Sequence, residues 1–185
     1  MKRRAMISSA VVLGVCAVML MWGGEISLAG AEHEFVGAAK CKMCHQKPDQ
    51  GEQYKIWQES KHAKALETLK TPAAKEVAAK LGIEDPSTSG KCLKCHSTAY
   101  NFTEEKVTDA IDVEESISCE SCHGAGKDYM KKSVMEDRDA AVAAGLVIPD
   151  ESVCIKCHNS ESPTYQPFNY AERVEKIKHS IPNKG

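Results

Sequence analysis

The chain has 185 residues, with 24 Lys and Arg against 26 Asp and Glu, and a formal charge of −2. That length suits one domain or two small ones, and the balanced charge excludes the polybasic face of a nucleic-acid binder. Three Phe, two Trp and five Tyr are few to fill a core, whereas nine cysteines are too many to be incidental.

The first element reads as a secretory signal over residues 1–31. Lys2, Arg3 and Arg4 form its charged end, and Ala5 to Trp22 its apolar stretch. Ala29-Gly30-Ala31 is the expected cleavage site and Ser27-Leu28-Ala29 its competitor, leaving a mature domain of 32–185. The rival reading is a retained membrane anchor, because about 18 apolar residues just span a bilayer. Cleavage also removes Cys16, the odd cysteine. It takes three of the 24 basic residues and Glu25 of the 26 acidic ones, leaving 21 against 25 and a formal charge of −4. Exported cysteines are ordinarily disulfides, but the spacing here argues otherwise.

CKMCH (Cys41, Cys44, His45) opens the mature chain. Helix-forming residues run from Asp49 to Lys70 and carry His62 on a face shared with Ala65, Leu66 and Leu69. Thr71 and Pro72 then read as N-cap and first position of a second helix that Gly82 stops. The DPSTSG loop leads into CLKCH (Cys92, Cys95, His96). Ala99 to Ser118 is mixed and acidic, with a short hairpin expected. CESCH (Cys119, Cys122, His123) follows, then a short Ala-rich helix from Asp137 to Ala144 closed by Gly145. CIKCH (Cys154, Cys157, His158) precedes the irregular SPTYQPFN. Asn169 to Glu172 resembles a capping box opening a last helix to His179, ended by Pro182.

C-x-x-C-H is the attachment sequence for c-type haem. Two thiols three residues apart on one helical turn reach the two vinyl groups of a porphyrin, and the next histidine is carried under the ring as proximal ligand. Half a zinc site or a redox pair explains one C-x-x-C, but not a histidine after all four. The expectation is four covalent haem c groups, whose porphyrins supply core that the aromatics do not. The fold expected around them is mostly α, helices and loops wrapped around the haems with little sheet. Intervals of 51, 27 and 35 residues between motifs exclude a solenoid repeat.

Seven histidines less four proximal ones leave His33, His62 and His179 for the sixth positions. A second histidine makes a low-spin electron-transfer haem, and an open position binds small molecules. Three spare histidines cannot serve four irons. His62, on an apolar face, and His179, at the end of the last helix, are the expected ligands. The partner of His62 is expected to be a haem other than that of His45. His33 lies in a terminal segment of the kind that is ordinarily mobile; an iron of its own subunit, a neighbour's iron and solvent all remain open to it.

AAKCKMCH, WQESKHAKALETLK, KCLKCH, ISCESCHGAGKDY, and CIKCH followed by SPTYQPF and EKIKH occur together in one order. On these pieces, covering most of 37–179, the chain resembles the cytochrome c-554 family of tetrahaem cytochromes. The resemblance implies a helical multihaem fold with haems in close pairs. It also implies three bis-histidine haems, a five-coordinate one on His96, and distal roles for His62 and His179. One departure is visible. The family has a further distal histidine shortly after its third motif, and KDYMKKSVMEDRDAA has none. His33 is the candidate to replace it at the first haem.

The expected function is a periplasmic or extracellular electron carrier between a donor enzyme and a membrane or extracellular acceptor. Its partners are then redox proteins, with no nucleic acid and only transient membrane contact unless the signal remains as an anchor. Lysines beside the motifs (Lys40, Lys42, Lys47, Lys91, Lys94, Lys156) are candidates for a docking rim. Two alternatives belong to other classes. One is an enzyme reducing nitric oxide or a similar oxide at an open haem on His96, which the resemblance allows as a secondary activity. The other is a homo-oligomeric filament in which an N-terminal histidine ligates the next subunit's iron, and a discrete monomer or dimer in size-exclusion chromatography dismisses it.

Overall fold

The computed structural model describes residues 33–179. The signal read in 1–31 and the helix stop at Pro182 lie outside them. The described residues contain no strand. Their helices are short: α1 (Ala38–His45), α2 (Gln53–Glu59), α3 (Ala65–Leu69), α4 (Pro72–Lys80), α5 (Gly90–His96), α6 (Cys119–His123), α7 (Lys132–Met135), α8 (Arg138–Ala143), α9 (Glu151–Cys154) and α10 (Tyr170–Val174), with 3-10 turns at Pro48–Gln50, His62–Lys64 and Val113–Glu115. None of them is long and apolar enough to cross a membrane.

Local signals hold where local chemistry decides. The Thr71 hydroxyl accepts the Ala74 N–H at 3.3 Å, Pro72 stands at the first position, and Gly82 takes φ 68° just past the end. Asp137 caps α8 by accepting the N–H groups of Asp139 and Ala140, and Gly145 follows it at φ 99°. Asn169 caps α10 through the Glu172 N–H, although α10 stops at Val174, short of the expected His179. Thr71→Ala removes an exposed cap. We expect it to cost about 1 kcal/mol, read as a lower urea midpoint with an unchanged slope.

Two expectations fail for the same reason. The single helix expected from Asp49 to Lys70 breaks, with Ser60 extended at ψ 164° and a 3-10 turn at His62–Lys64. The residues expected to form a hairpin instead send a strap, Ser116–Ser118, across that break. The Ile117 N–H donates to the His62 carbonyl at 3.2 Å, and the Leu66 N–H donates to Ser116 Oγ at 3.2 Å. In a continuous α-helix those two groups would bond each other. The Trp57 indole N–H fastens the same strap by donating to the Ile117 carbonyl at 2.8 Å. Ser116 itself sits at φ 60°, a region non-glycine residues seldom occupy.

Beneath the break, Leu66, Leu69 and Leu93 form the apolar centre, with Cys92, Tyr100 and Val113 packed against it. The strap is held from behind by a buried hydroxyl, Thr98 Oγ1. It donates to the Ser116 carbonyl at 3.0 Å, accepts the Ser118 N–H at 2.7 Å, and lies 2.8 Å from Ser121 Oγ. Small polar side chains thus fix the backbone that carries His62.

Candidate haem-binding site

Each of the first three pentapeptides sits on a helix ending at its histidine: α1, α5 and α6. This puts both cysteines on one turn, with the imidazole directly below. The fourth begins on α9 at Cys154 and turns immediately, His158 N–H bonding back to the Cys154 carbonyl at 3.0 Å.

The motifs meet through their thiols. Cys41 and Cys119 are close enough to shift each other's titration, as are Cys95 and Cys157. Sharing with Cys157 brings the Cys95 thiol down to about 7, while Cys157 and Cys119 are pushed up by their sulfur partners and by burial. Cys122, pushed up to about 11 chiefly by burial, also feels Cys154. Thiols of the first motif thus neighbour those of the third, the third's neighbour the fourth's, and the fourth's neighbour the second's. Among the described residues no three of His, Cys, Asp and Glu converge as an ordinary metal cage.

The imidazoles are oriented through Nδ1. His96 donates to the Ala65 carbonyl at 2.7 Å and His123 to the Val147 carbonyl at 3.1 Å. His45 Nδ1 lies 3.3 Å from Gln53 Oε1. Such partners fix the tautomer and leave Nε2 bare for a metal. His158 is steadied differently, stacked on Phe168 with ring centroids 4.7 Å apart.

Two further histidines face these. His62 stands against His158 with ring centroids 6.1 Å apart, and His179 stands against His123 at 5.8 Å. A metal–imidazole bond of about 2.0 Å on each side, plus about 1.1 Å from each nitrogen to its ring centre, puts two axial rings about 6 Å apart. The donor set and spacing therefore fit an iron porphyrin between each pair. Burial pushes His62, His123, His158 and His179 below the ordinary histidine value, which favours the neutral, ligating form. One cleft is lined by Trp57, His62, Ile117, Cys119, Cys122, His123 and His179, so the strap, His62 and the His123–His179 pair share a wall.

The remaining expected site residue, His33, is in neither pair. It lies beside Asp128, with Nδ1 2.8 Å from Oδ2. Of the rim lysines, Lys94 bonds Glu161 at 3.0 Å, and Lys156 and Lys42 lie over the rings of Phe102 and Tyr54. Sequence reasoning missed Gln53, Phe168 and the Ala65 and Val147 carbonyls. It also missed two carboxylates: Glu115, which accepts the Ala38 N–H at 3.1 Å, and Glu120, which accepts those of Val36, Gly37 and Gly126. The acidity of 99–118 and the Glu inside CESCH were the only signals of these.

Comparison with known proteins bears on the sequence and the fold. The family model described as "Cytochrome c554 and c-prime" matches residues 40–124. Cytochrome c-554 of Nitrosomonas europaea is 31% identical over 124 residues, which is 63% of this chain and 48% of that protein. The match thus spans about half the length of that relative. A solved structure of reduced cytochrome c554 from Nitrosomonas europaea superposes with a TM-score of 0.52 at 25% identity, covering 79% of each chain. Motif order, sequence and helical fold converge on one likeness, and the chain is similar in sequence and fold to the cytochrome c-554 family of c-type cytochromes.

Proposed function

We propose that residues 1–31 export this chain and that the domain from residue 32 carries electrons between a donor enzyme and a membrane or extracellular acceptor, holding four haems. The haems supply the one-electron chemistry. The polypeptide attaches them through the eight cysteines of its four pentapeptides, ligates them through His45, His96, His123 and His158, and keeps them close together. His62 is assigned as sixth ligand opposite His158, and His179 opposite His123. The observation that carries this reading is the pair of facing imidazoles at 6.1 and 5.8 Å, the separation two axial ligands of one iron require. The neighbouring thiols of the first and third, third and fourth, and fourth and second motifs support transfer within the chain, because they keep the attachment points close.

Seven histidines cannot fill two axial positions on each of four irons. We assign His33 to the first haem, opposite His45, and leave the haem on His96 without a second histidine. Intact mass spectrometry of the exported protein tests the inventory. The expected result is a chain beginning near residue 30 to 32 with four haem additions, each lost when both cysteines of one pentapeptide become serine. Fewer than four additions, or a pentapeptide whose loss leaves the mass of bound haem unchanged, overturns the tetrahaem reading.

A further inference from the structure

His33 is held more firmly than its place near the start of the domain implies. The backbone beyond it is lashed to the third motif: the Lys127 N–H donates to the Glu34 carbonyl at 3.1 Å, the Gly37 N–H donates to Glu120 at 2.8 Å, and the Val36 N–H donates to the same carboxylate. On the imidazole itself, Nδ1 meets Asp128 Oδ2 at 2.8 Å. Gly145 covers another side of the ring. A Cβ added there would stand 2.8 Å from Cδ2, 2.8 Å from Nε2 and 3.1 Å from Cε1. Near-equal distances to three ring atoms put Gly145 over the face of the imidazole and out of line with Nε2. That nitrogen has no hydrogen-bond partner among the described residues.

The partner of Nδ1 separates His33 from the proximal histidines. His45, His96 and His123 face neutral amide or carbonyl oxygens, whereas His33 faces a carboxylate. A carboxylate on Nδ1–H draws the proton toward itself and makes Nε2 a stronger donor. Stronger donation favours ferric over ferrous iron, so it lowers the reduction potential of whichever haem takes the ligand.

We infer that Asp128 and Gly145 form a cradle that presents His33 Nε2 to an iron, with Asp128 as a positioning residue that also lowers the potential of that haem. The inference rests on the proposed ligation of the first haem by His33. Its test uses the haem-loaded protein, read by electron paramagnetic resonance and by spectroelectrochemical titration. His33→Ala is expected to turn one low-spin haem high-spin. Gly145→Ala, which places a methyl against the ring at a backbone φ of 99°, is expected to produce the same signal in part. Asp128→Asn keeps a hydrogen-bonding side chain without the charge. It is expected to raise the potential of one haem with the low-spin count unchanged, and Asp128→Glu to restore it. If His33→Ala changes no spin state, the ligation itself fails and takes the cradle with it. If His33→Ala acts but Asp128→Asn moves neither spin state nor potential, ligation stands and the role given to Asp128 is overturned.

Discussion

His62→Ala is expected to convert one low-spin haem into a high-spin one while leaving covalent attachment at all four pentapeptides intact. The backbone of residue 62 does not depend on its side chain. Its carbonyl accepts the Ile117 and Ala65 N–H groups whatever the residue, so the strap and the 3-10 turn survive the substitution. What is lost is the ring facing His158 at 6.1 Å. Because His158 is still held against Phe168, its iron keeps a proximal ligand and gains an open position. Imidazole added to the variant should fill that position and return the low-spin signal, a rescue that general destabilisation would not allow. His179→Ala should act in the same way at the haem assigned to His123, and the double variant should show two high-spin haems more than the parent protein, since the two pairs are assigned to separate irons. If His62→Ala keeps the full low-spin count, the axial role of His62 is wrong and the 6.1 Å pairing is ordinary packing.

What was legible in the sequence is what local chemistry constrains. A haem attachment site must put two thiols on one helical turn with a histidine next to them, so it is written within five consecutive residues. The Thr71-Pro72 cap is similarly local, since Thr71 bonds a group three residues away. The break before His62 is not local at all. WQESKHAKALETLK favours a continuous helix, and the break depends on the Ile117 N–H and Ser116 Oγ, about fifty residues later. The face that His62 shares with Ala65, Leu66 and Leu69 lies after the break and is turned inward, and the structure sets His62 against His158. His33 shows the opposite error. A terminal position suggests mobility, but the carboxylates that immobilise the following residues, Glu115 and Glu120, belong to a segment about eighty residues away.

Glu120→Ala is expected to be among the most destabilising substitutions of a non-ligating side chain. Glu120 is only 1% exposed, and it is one of the two variable residues of CESCH. Its carboxylate accepts the N–H of Gly126 at 2.6 Å, that of Gly37 at 2.8 Å, and that of Val36 at 3.0 Å. Those three donors have no alternative carbonyl nearby within a helix or strand, because residues 33–37 precede α1 and residues 124–126 follow α6. Leaving a buried donor unsatisfied costs about 1–3 kcal/mol. Three of them, discounted for the part-buried Val36, sum to roughly 3–6 kcal/mol, a large share of the stability of a small domain. Glutamine is not a neutral replacement, because its NH2 must face one of the same donors, so Glu120→Gln should recover only part of the loss. Burial raises the Glu120 carboxyl above the ordinary glutamate range, with the three N–H groups opposing that rise. Denaturant unfolding of the haem-loaded variants measures the cost, and a loss below about 1 kcal/mol for Glu120→Ala would show that water satisfies the three donors. The consequence reaches the site through the chain itself. Releasing Val36 and Gly37 frees the segment between His33 and Cys41, so Glu120→Ala should disturb the spin state of the first haem before any other, even though Glu120 ligates none.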